Sequence, residues 1–178
     1  MDTQLKNLLD YNIEELESIV KAMGQPAFRT KQLWEWLYKG ADFSEMTNLP
    51  EKFRSSLAEN YRSGKLGIKA KLCSKEDDTV KYLFSLGDGN LVESVLMKYK
   101  YGYSACVSTQ VGCKMGCSFC ASGIAGFIRN LTPSEILSQI YVAQKDLNIR
   151  ISHIVMMGVG EPLDNFENVM QFLTLVSN

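Results

Sequence analysis

Cys106-Val-Ser-Thr-Gln-Val-Gly-Cys113-Lys-Met-Gly-Cys117-Ser-Phe-Cys120 gathers four of the chain's five cysteines into fifteen residues, and the last three are spaced Cys-x3-Cys-x2-Cys. Three thiolates on one short loop can hold three corners of an iron–sulfur cube and leave the fourth iron open to a small molecule. The loop's small residues, Gly112, Gly116, Ser118, Ala121, Ser122 and Gly123, let the backbone approach a bulky inorganic group. Phe119 and Phe127 flank it and would keep water away. Zinc sites favour paired Cys-x2-Cys units or a Cys/His set. Here there is one such pair and one histidine, so a zinc site made from the three cysteines and His153 is the alternative. Buried structural thiols are the plainest reading of any free cysteine, and three at this spacing make it the weakest.

Downstream of the cysteines, Thr132-Pro133-Ser134-Glu135 combines an N-cap, a proline at the first helical position and a capping-box glutamate, opening a helix to about Leu147. His153-Ile-Val-Met-Met157 reads as a short strand buried on both faces, as in parallel sheets. Gly158 to Asp164 is its exit loop, and Phe166 to Leu175 reads as a further helix. From Ser104 the order is therefore strand, cysteine loop, helix, strand, helix. This is an α/β pattern, and ligands of such folds sit at the carboxyl ends of strands. The loop after the second strand, Met156-Met157-Gly158-Val159-Gly160-Glu161-Pro162-Leu163, should face the same cavity as the cysteines. Gly160 permits close approach, Pro162 fixes the turn, and the Glu161 carboxylate can receive an ammonium group. Two βα units do not close a barrel. The chain is read as the N-terminal portion of a longer protein.

Upstream, Thr79–Leu86 and Leu91–Met97 alternate in polarity around Gly87-Asp88-Gly89-Asn90, a strong hairpin signal because Gly and Asn supply the positive φ of tight turns. Tyr99 to Tyr103 reads as a linker. Nearer the N-terminus, Asn12 with Glu15 starts a helix that ends at Gly24; Arg29 to Lys39 forms a second, stopped by Gly40; a third follows Pro50. The expected organisation is a helical accessory domain over residues 1–66, a β-ribbon over 67–98, and the start of a core domain over 99–178. Residues 28–75 carry ten Lys/Arg against five Asp/Glu, although the whole chain balances at 19 against 20. In that segment Arg29, Lys31, Lys39, Lys52 and Arg54 are interleaved with Phe28, Trp34, Trp36, Tyr38 and Phe53. Such a surface suits phosphates and stacked bases. The competing reading is an apolar stripe of Leu33, Trp34, Leu37 and Tyr38 facing a core, with a solvated basic face.

An odd cysteine count, tight clustering and an N-terminus without a secretory pattern point to a reducing, cytoplasmic setting. No run approaches eighteen apolar residues, so no membrane association is expected. Cys73 has no assigned role, and His153 reads as a structural histidine in the core or at a sheet edge.

Taken together these motifs resemble the radical S-adenosylmethionine enzymes. Cys106-Val-Ser-Thr-Gln-Val-Gly-Cys113, Gly126-Phe-Ile-Arg-Asn-Leu-Thr132, Gly158-Val-Gly-Glu-Pro-Leu163 and Phe28-Arg-Thr-Lys-Gln-Leu-Trp-Glu-Trp-Leu37 are similar to the RlmN/Cfr-type RNA methyltransferases, in the family's order and spacing. The resemblance implies a partial radical-SAM (β/α) barrel of two βα units, preceded by the helical domain and the hairpin. It implies that Cys113, Cys117 and Cys120 ligate a [4Fe-4S] cluster, and that Gly160 and Glu161 bind S-adenosyl-L-methionine. Cys106 matches the cysteine that resolves a covalent enzyme–RNA adduct, and Glu93 matches a proton acceptor; on pattern alone these are a strand cysteine and an outward-facing charge. The implied activity is methylation of adenine C2 in 23S rRNA and tRNA through a 5′-deoxyadenosyl radical. The implied partners are RNA and a flavodoxin-type electron donor, with the enzyme a monomer. The sister adenine-C8 activity and a non-catalytic RNA-binding iron–sulfur protein are the rivals. In the family the methyl carrier is a second cysteine far downstream; no cysteine follows Cys120 here, so the chain alone is expected to be inactive.

Overall fold

A computed structural model describes residues 5–177, and the chain divides into two compact units at Lys65/Leu66. The first four residues of the expected accessory domain, and Asn178, lie outside the described residues.

In the first unit, helices α1 (Ile13–Ala22), α2 (Phe28–Leu37) and α3 (Glu51–Asn60) enclose a core that includes Leu16, Val20, Leu33, Leu37, Phe53 and Leu57. The Asn12 side chain accepts from the Glu15 N–H at 2.9 Å and the Glu15 carboxylate accepts from the Asn12 N–H at 2.8 Å, closing the capping box. Such caps contribute about 1 kcal/mol each. Two short strands not evident in the sequence, β1 (Lys6–Asn7) and β2 (Tyr61–Arg62), pair in parallel and join the start of the unit to the end of α3. On α2 the apolar stripe and the basic–aromatic surface coexist. Leu33 and Leu37 are fully buried, while Trp34, Trp36 and Tyr38 are half-buried. Trp34 stacks on Tyr38 at 4.3 Å, and Arg29 lies over the Phe28 ring.

The second unit is built on a five-stranded sheet in the order β3 (Gly67–Cys73), β4 (Val80–Ser85), β5 (Leu91–Tyr99), β6 (Gly102–Cys106), β9 (Ile151–Val155). The first four strands are antiparallel and β9 joins β6 in parallel. The β4–β5 turn falls on Gly87–Asn90 as its composition demands, with Ser85 opposite Leu91 and the Leu86 N–H donating to the Asn90 carbonyl at 2.9 Å. Tyr99–Tyr103 is not a linker. Tyr99 ends β5, Gly102 begins β6, and these two residues face each other, so only Lys100 and Tyr101 form the turn. The ribbon is therefore continuous with the sheet.

One face of that sheet carries Tyr82, Phe84, Val92, Leu96 and Ala105, all buried. Helix α4 (Pro133–Leu147) is tied to this face by the Tyr82 hydroxyl, which donates to Asp146 at 2.7 Å, and α4 in turn packs on α5 (Phe166–Val176). Thr132 and Glu135 cap α4 reciprocally, and Pro133 takes the first position. Arg129 forks onto the Glu135 carboxylate at 2.7 and 2.8 Å and reaches Asp88 in the β4–β5 turn at 2.7 Å. Burial would raise the Asp88 carboxyl, but hydrogen bonds from Arg129 and Asn90 outweigh it and carry the pKa down to about 2.

Strand β9 departs from the sequence reading. It ends at Val155 and not Met157, and Ser152 and His153 are exposed. The reason is position: β9 is the last strand of the sheet, and among the described residues its outer edge pairs with nothing.

Candidate functional site

The cysteines do not follow β6 directly. After Cys106 the chain runs through Val107–Thr109 into β7 (Gln110–Gly112), which pairs antiparallel with β8 (Phe127–Asn130), and Cys113, Cys117 and Cys120 lie on the excursion between them. Two glycines close its base. Gly112 and Gly126 both hold positive φ, a Cβ on Gly112 would overlap the Gly126 carbonyl, and the Cys113 N–H donates to that carbonyl at 3.2 Å. Cys113 is buried at this root, whereas Cys117 and Cys120 are exposed. The latter two open on a recess of about 450 Å³ walled by Met115, Phe119 and Ile124. Phe119 and Ile124 are 92% and 86% exposed, apolar surface that a bound group would cover.

The donor set fits an iron–sulfur cluster: soft thiols, an apolar wall, and no lysine or carboxylate lining the recess. Hydrogen bonds from the Ser122 hydroxyl and backbone hold the Cys120 thiol below its ordinary pKa, toward the thiolate that ligation requires. Among the described residues no three His, Cys, Asp or Glu side chains converge as a single-ion site. The only histidine, His153, has Nδ1 2.9 Å from Ser152 Oγ and its ring edge-on to Tyr101.

The loop after β9 is laced onto the segment that leads into the cysteines. The Val107 N–H donates to the Val155 carbonyl at 2.9 Å, the Gly158 N–H to Val107 at 3.1 Å, and the N–H groups of Thr109 and Gln110 to Val159 at 2.9 and 3.2 Å. There is no room for side chains between them. A Cβ on Gly158 would meet the Val107 carbonyl at 2.7 Å, and one on Gly160, whose φ is +107°, would meet the Gln110 stem at 2.6 and 2.8 Å. The Glu161 carboxylate caps the turn Pro162–Asn165 by accepting from the Leu163 N–H at 3.0 Å with Oε1. Among the described residues its Oε2 has no partner.

Glu93 and Cys106 share the sheet face opposite α4. Val95 is directly across from Cys106, and Glu93 lies two residues along the same strand. Glu93 pairs with Lys81 at 2.8 Å, each about half exposed. Cys106 is half-buried; burial pushes its thiol pKa up, and the Met157 backbone N–H pulls the other way. Cys73 is exposed at the end of the outer strand β3.

Polar residues beside the cysteines went unassigned in the sequence. The Ser108 backbone is clamped by the Gln139 carboxamide of α4, at 2.9 Å in both directions. Its hydroxyl donates to the Glu93 carbonyl at 2.6 Å and accepts from the Val159 N–H at 2.9 Å. Gln110, wholly buried, accepts from the Glu161 N–H at 2.9 Å and donates to Asn130 at 2.8 Å and Asp164 at 2.7 Å. Lys114 pairs with the other Asp164 oxygen at 2.7 Å; the Lys114 ammonium and the Gln110 amide hold that carboxyl below its usual range. The available signal was three consecutive polar residues, Ser108, Thr109 and Gln110, inside a stretch otherwise patterned as strand.

Residues 6–62 match the family model of the ribosomal RNA large subunit methyltransferase N-terminal domain. The chain is 51% identical, over 98% of its length, to a probable dual-specificity RNA methyltransferase RlmN of Clostridium acetobutylicum, and 52% identical over 98% to that of Clostridium botulinum. It covers 51% and 52% of those proteins, so the chain spans about half the length of the curated relatives it matches. A crystal structure of a radical SAM methyltransferase from Sphaerobacter thermophilus superposes with a TM-score of 0.91 at 36% identity, covering 97% of this chain and 52% of that one. With similarity running through almost all of its length in both sequence and fold, the chain belongs to the RlmN family.

Proposed function

We propose that this chain is the cluster- and cofactor-binding half of a radical S-adenosylmethionine methyltransferase that acts on adenine C2 of 23S rRNA and tRNA. One observation carries the reading: the segment that leads from β6 into the cysteine excursion and the Gly160-Glu161 loop after β9 leave the same end of neighbouring parallel strands and are hydrogen-bonded into one body. In this reading β6 and β9 are the first two strands of a partial (β/α) barrel. The helix-covered face is its outside, and the face bearing Glu93 and Cys106 its interior.

Cys113, Cys117 and Cys120 would hold a [4Fe-4S] cluster, with S-adenosylmethionine beside it. Reduced by a flavodoxin-type donor in the cytoplasm, the bound pair would supply the radical chemistry of the reaction. The chain's own residues bind and orient. The Glu161 carboxylate, with one oxygen spent on its own turn, offers the other to the cofactor ammonium. Phe119, Ile124 and Met115 exclude water. Glu93, paired with Lys81 on the interior face, accepts a proton from the substrate carbon, and Cys106, on the same face, resolves the enzyme–RNA adduct once its thiol, whose pKa burial raises, has given up its proton. RNA meets the basic and aromatic face of α2 in the first unit.

Full-length protein incubated with cofactor, reductant and unmodified rRNA should yield 2-methyladenosine by mass spectrometry. The 178-residue chain should yield none, because its one unassigned thiol, Cys73, lies at the end of β3, at the opposite edge of the sheet from β9 and away from the cysteine loop. Formation of 8-methyladenosine would move the protein to the sister activity, and tight RNA binding without any methylated base would leave a non-catalytic iron–sulfur protein.

A further inference from the structure

The carboxamide of Gln110 has one acceptor oxygen and two N–H donors, and all are used. Its oxygen takes the Glu161 N–H, and its nitrogen serves Asn130 Oδ1 and Asp164 Oδ2 at 2.7–2.8 Å. The orientation has no alternative, since turning the amide over would set N–H against N–H and oxygen against two acceptors. Asp164 continues the chain of contacts to Lys114, the residue directly after Cys113. Glu161 and the first cluster ligand are thus connected through three side chains, of which Gln110 alone is buried and also fills the space against Gly160 with its stem. The Lys114–Asp164 pair is half exposed on the lysine side and contributes little alone. The buried amide is the stronger link, because its loss would leave three half-buried groups without their partner at once.

We infer that Gln110 is a positioning residue: with Asp164 it sets the Glu161 loop at a fixed distance from the cysteine loop, so that cofactor binding depends on it and cluster assembly does not. The inference rests on the reading of the site given above.

Gln110→Glu is the informative substitution. It keeps the stem against Gly160, removes both donors, and places a carboxylate against Asp164. In full-length protein loaded with cluster, iron content and visible absorbance should match wild type. The apparent cofactor affinity, titrated by the change in the reduced cluster's electron paramagnetic resonance spectrum, should fall about tenfold or more at pH 8. Protonation of the introduced carboxyl restores a donor, so the defect should shrink as pH falls toward 6, while wild type shows no such recovery. A general loss of structure would not produce that pH profile. Wild-type affinity in the variant overturns the inference, as does loss of iron in both Gln110→Glu and Gln110→Ala, which would make Gln110 part of the cluster loop's own folding. No cofactor response in wild type overturns the reading of the site, and the inference with it.

Discussion

Replacing Cys113, Cys117 or Cys120 by alanine in the full-length protein is expected to take the anaerobically reconstituted iron content from about four per chain to near zero. Each thiol would be one of three protein ligands, and the excursion offers no substitute: the recess is walled by Met115, Phe119 and Ile124, and its remaining polar side chain is the Ser118 hydroxyl, too hard a donor to replace a thiolate. Cys73→Ala is the control. That cysteine is exposed at the end of the outer strand, across from Val80, and its loss should leave iron unchanged. Stoichiometric zinc without iron–sulfur absorbance would contradict the assignment, as would full iron in any of the three variants.

The second large effect is expected from Gly160→Ala. A methyl group there is opposed twice. The residue's φ of +107° is costly for any L side chain, by about 1–3 kcal/mol, and the added carbon would sit 2.6 Å from Gln110 Cβ and 2.8 Å from its backbone nitrogen. Gln110 belongs to the short β7–β8 pair, so the strain is relieved by displacing the Glu161 loop. Cluster content should survive, and cofactor affinity should drop by more than tenfold, about 1.4 kcal/mol. Gly24→Ala separates the two causes. Its φ is +70° but nothing lies within 4 Å of the new carbon, so it should lower stability slightly without touching cofactor binding. A wild-type cofactor titration in Gly160→Ala would show that the close approach to Gln110 does not matter.

What the sequence made legible were the features encoded locally. The Asn12/Glu15 and Thr132/Glu135 caps, and the Gly-Asp-Gly-Asn turn, each lie within four residues, and each forms where the residues say. Features set by distant partners were not legible. Strand β3 is exposed along its whole length and interleaves Lys69 and Lys71 with Ile68, Ala70 and Leu72; it is an outer strand placed by its pairing with β4 and by the contact of Lys71 with Asp146 of α4. Strands β7 and β8 are three and four residues long and meet only after fourteen intervening residues. The apolar run at Ile154–Met157 suggested burial, but burial depends on a neighbouring strand, and β9 has one on a single side. In the site, the cysteine spacing announced its chemistry because ligand spacing is local. Gln110 did not: a glutamine's significance lies in the three groups its amide satisfies, and those stand 20, 51 and 54 residues away.

The central claim is that the three cysteines and the Glu161 loop together make one site for a cluster with its cofactor bound alongside. Electron–nuclear double resonance on the reduced, cluster-loaded protein tests it most directly, using S-adenosylmethionine labelled with ¹⁵N at the amino group. The account predicts a hyperfine coupling between that nitrogen and the cluster, lost on Cys117→Ala and weakened by Glu161→Ala. An unchanged cluster spectrum with no nitrogen coupling at saturating cofactor would contradict it.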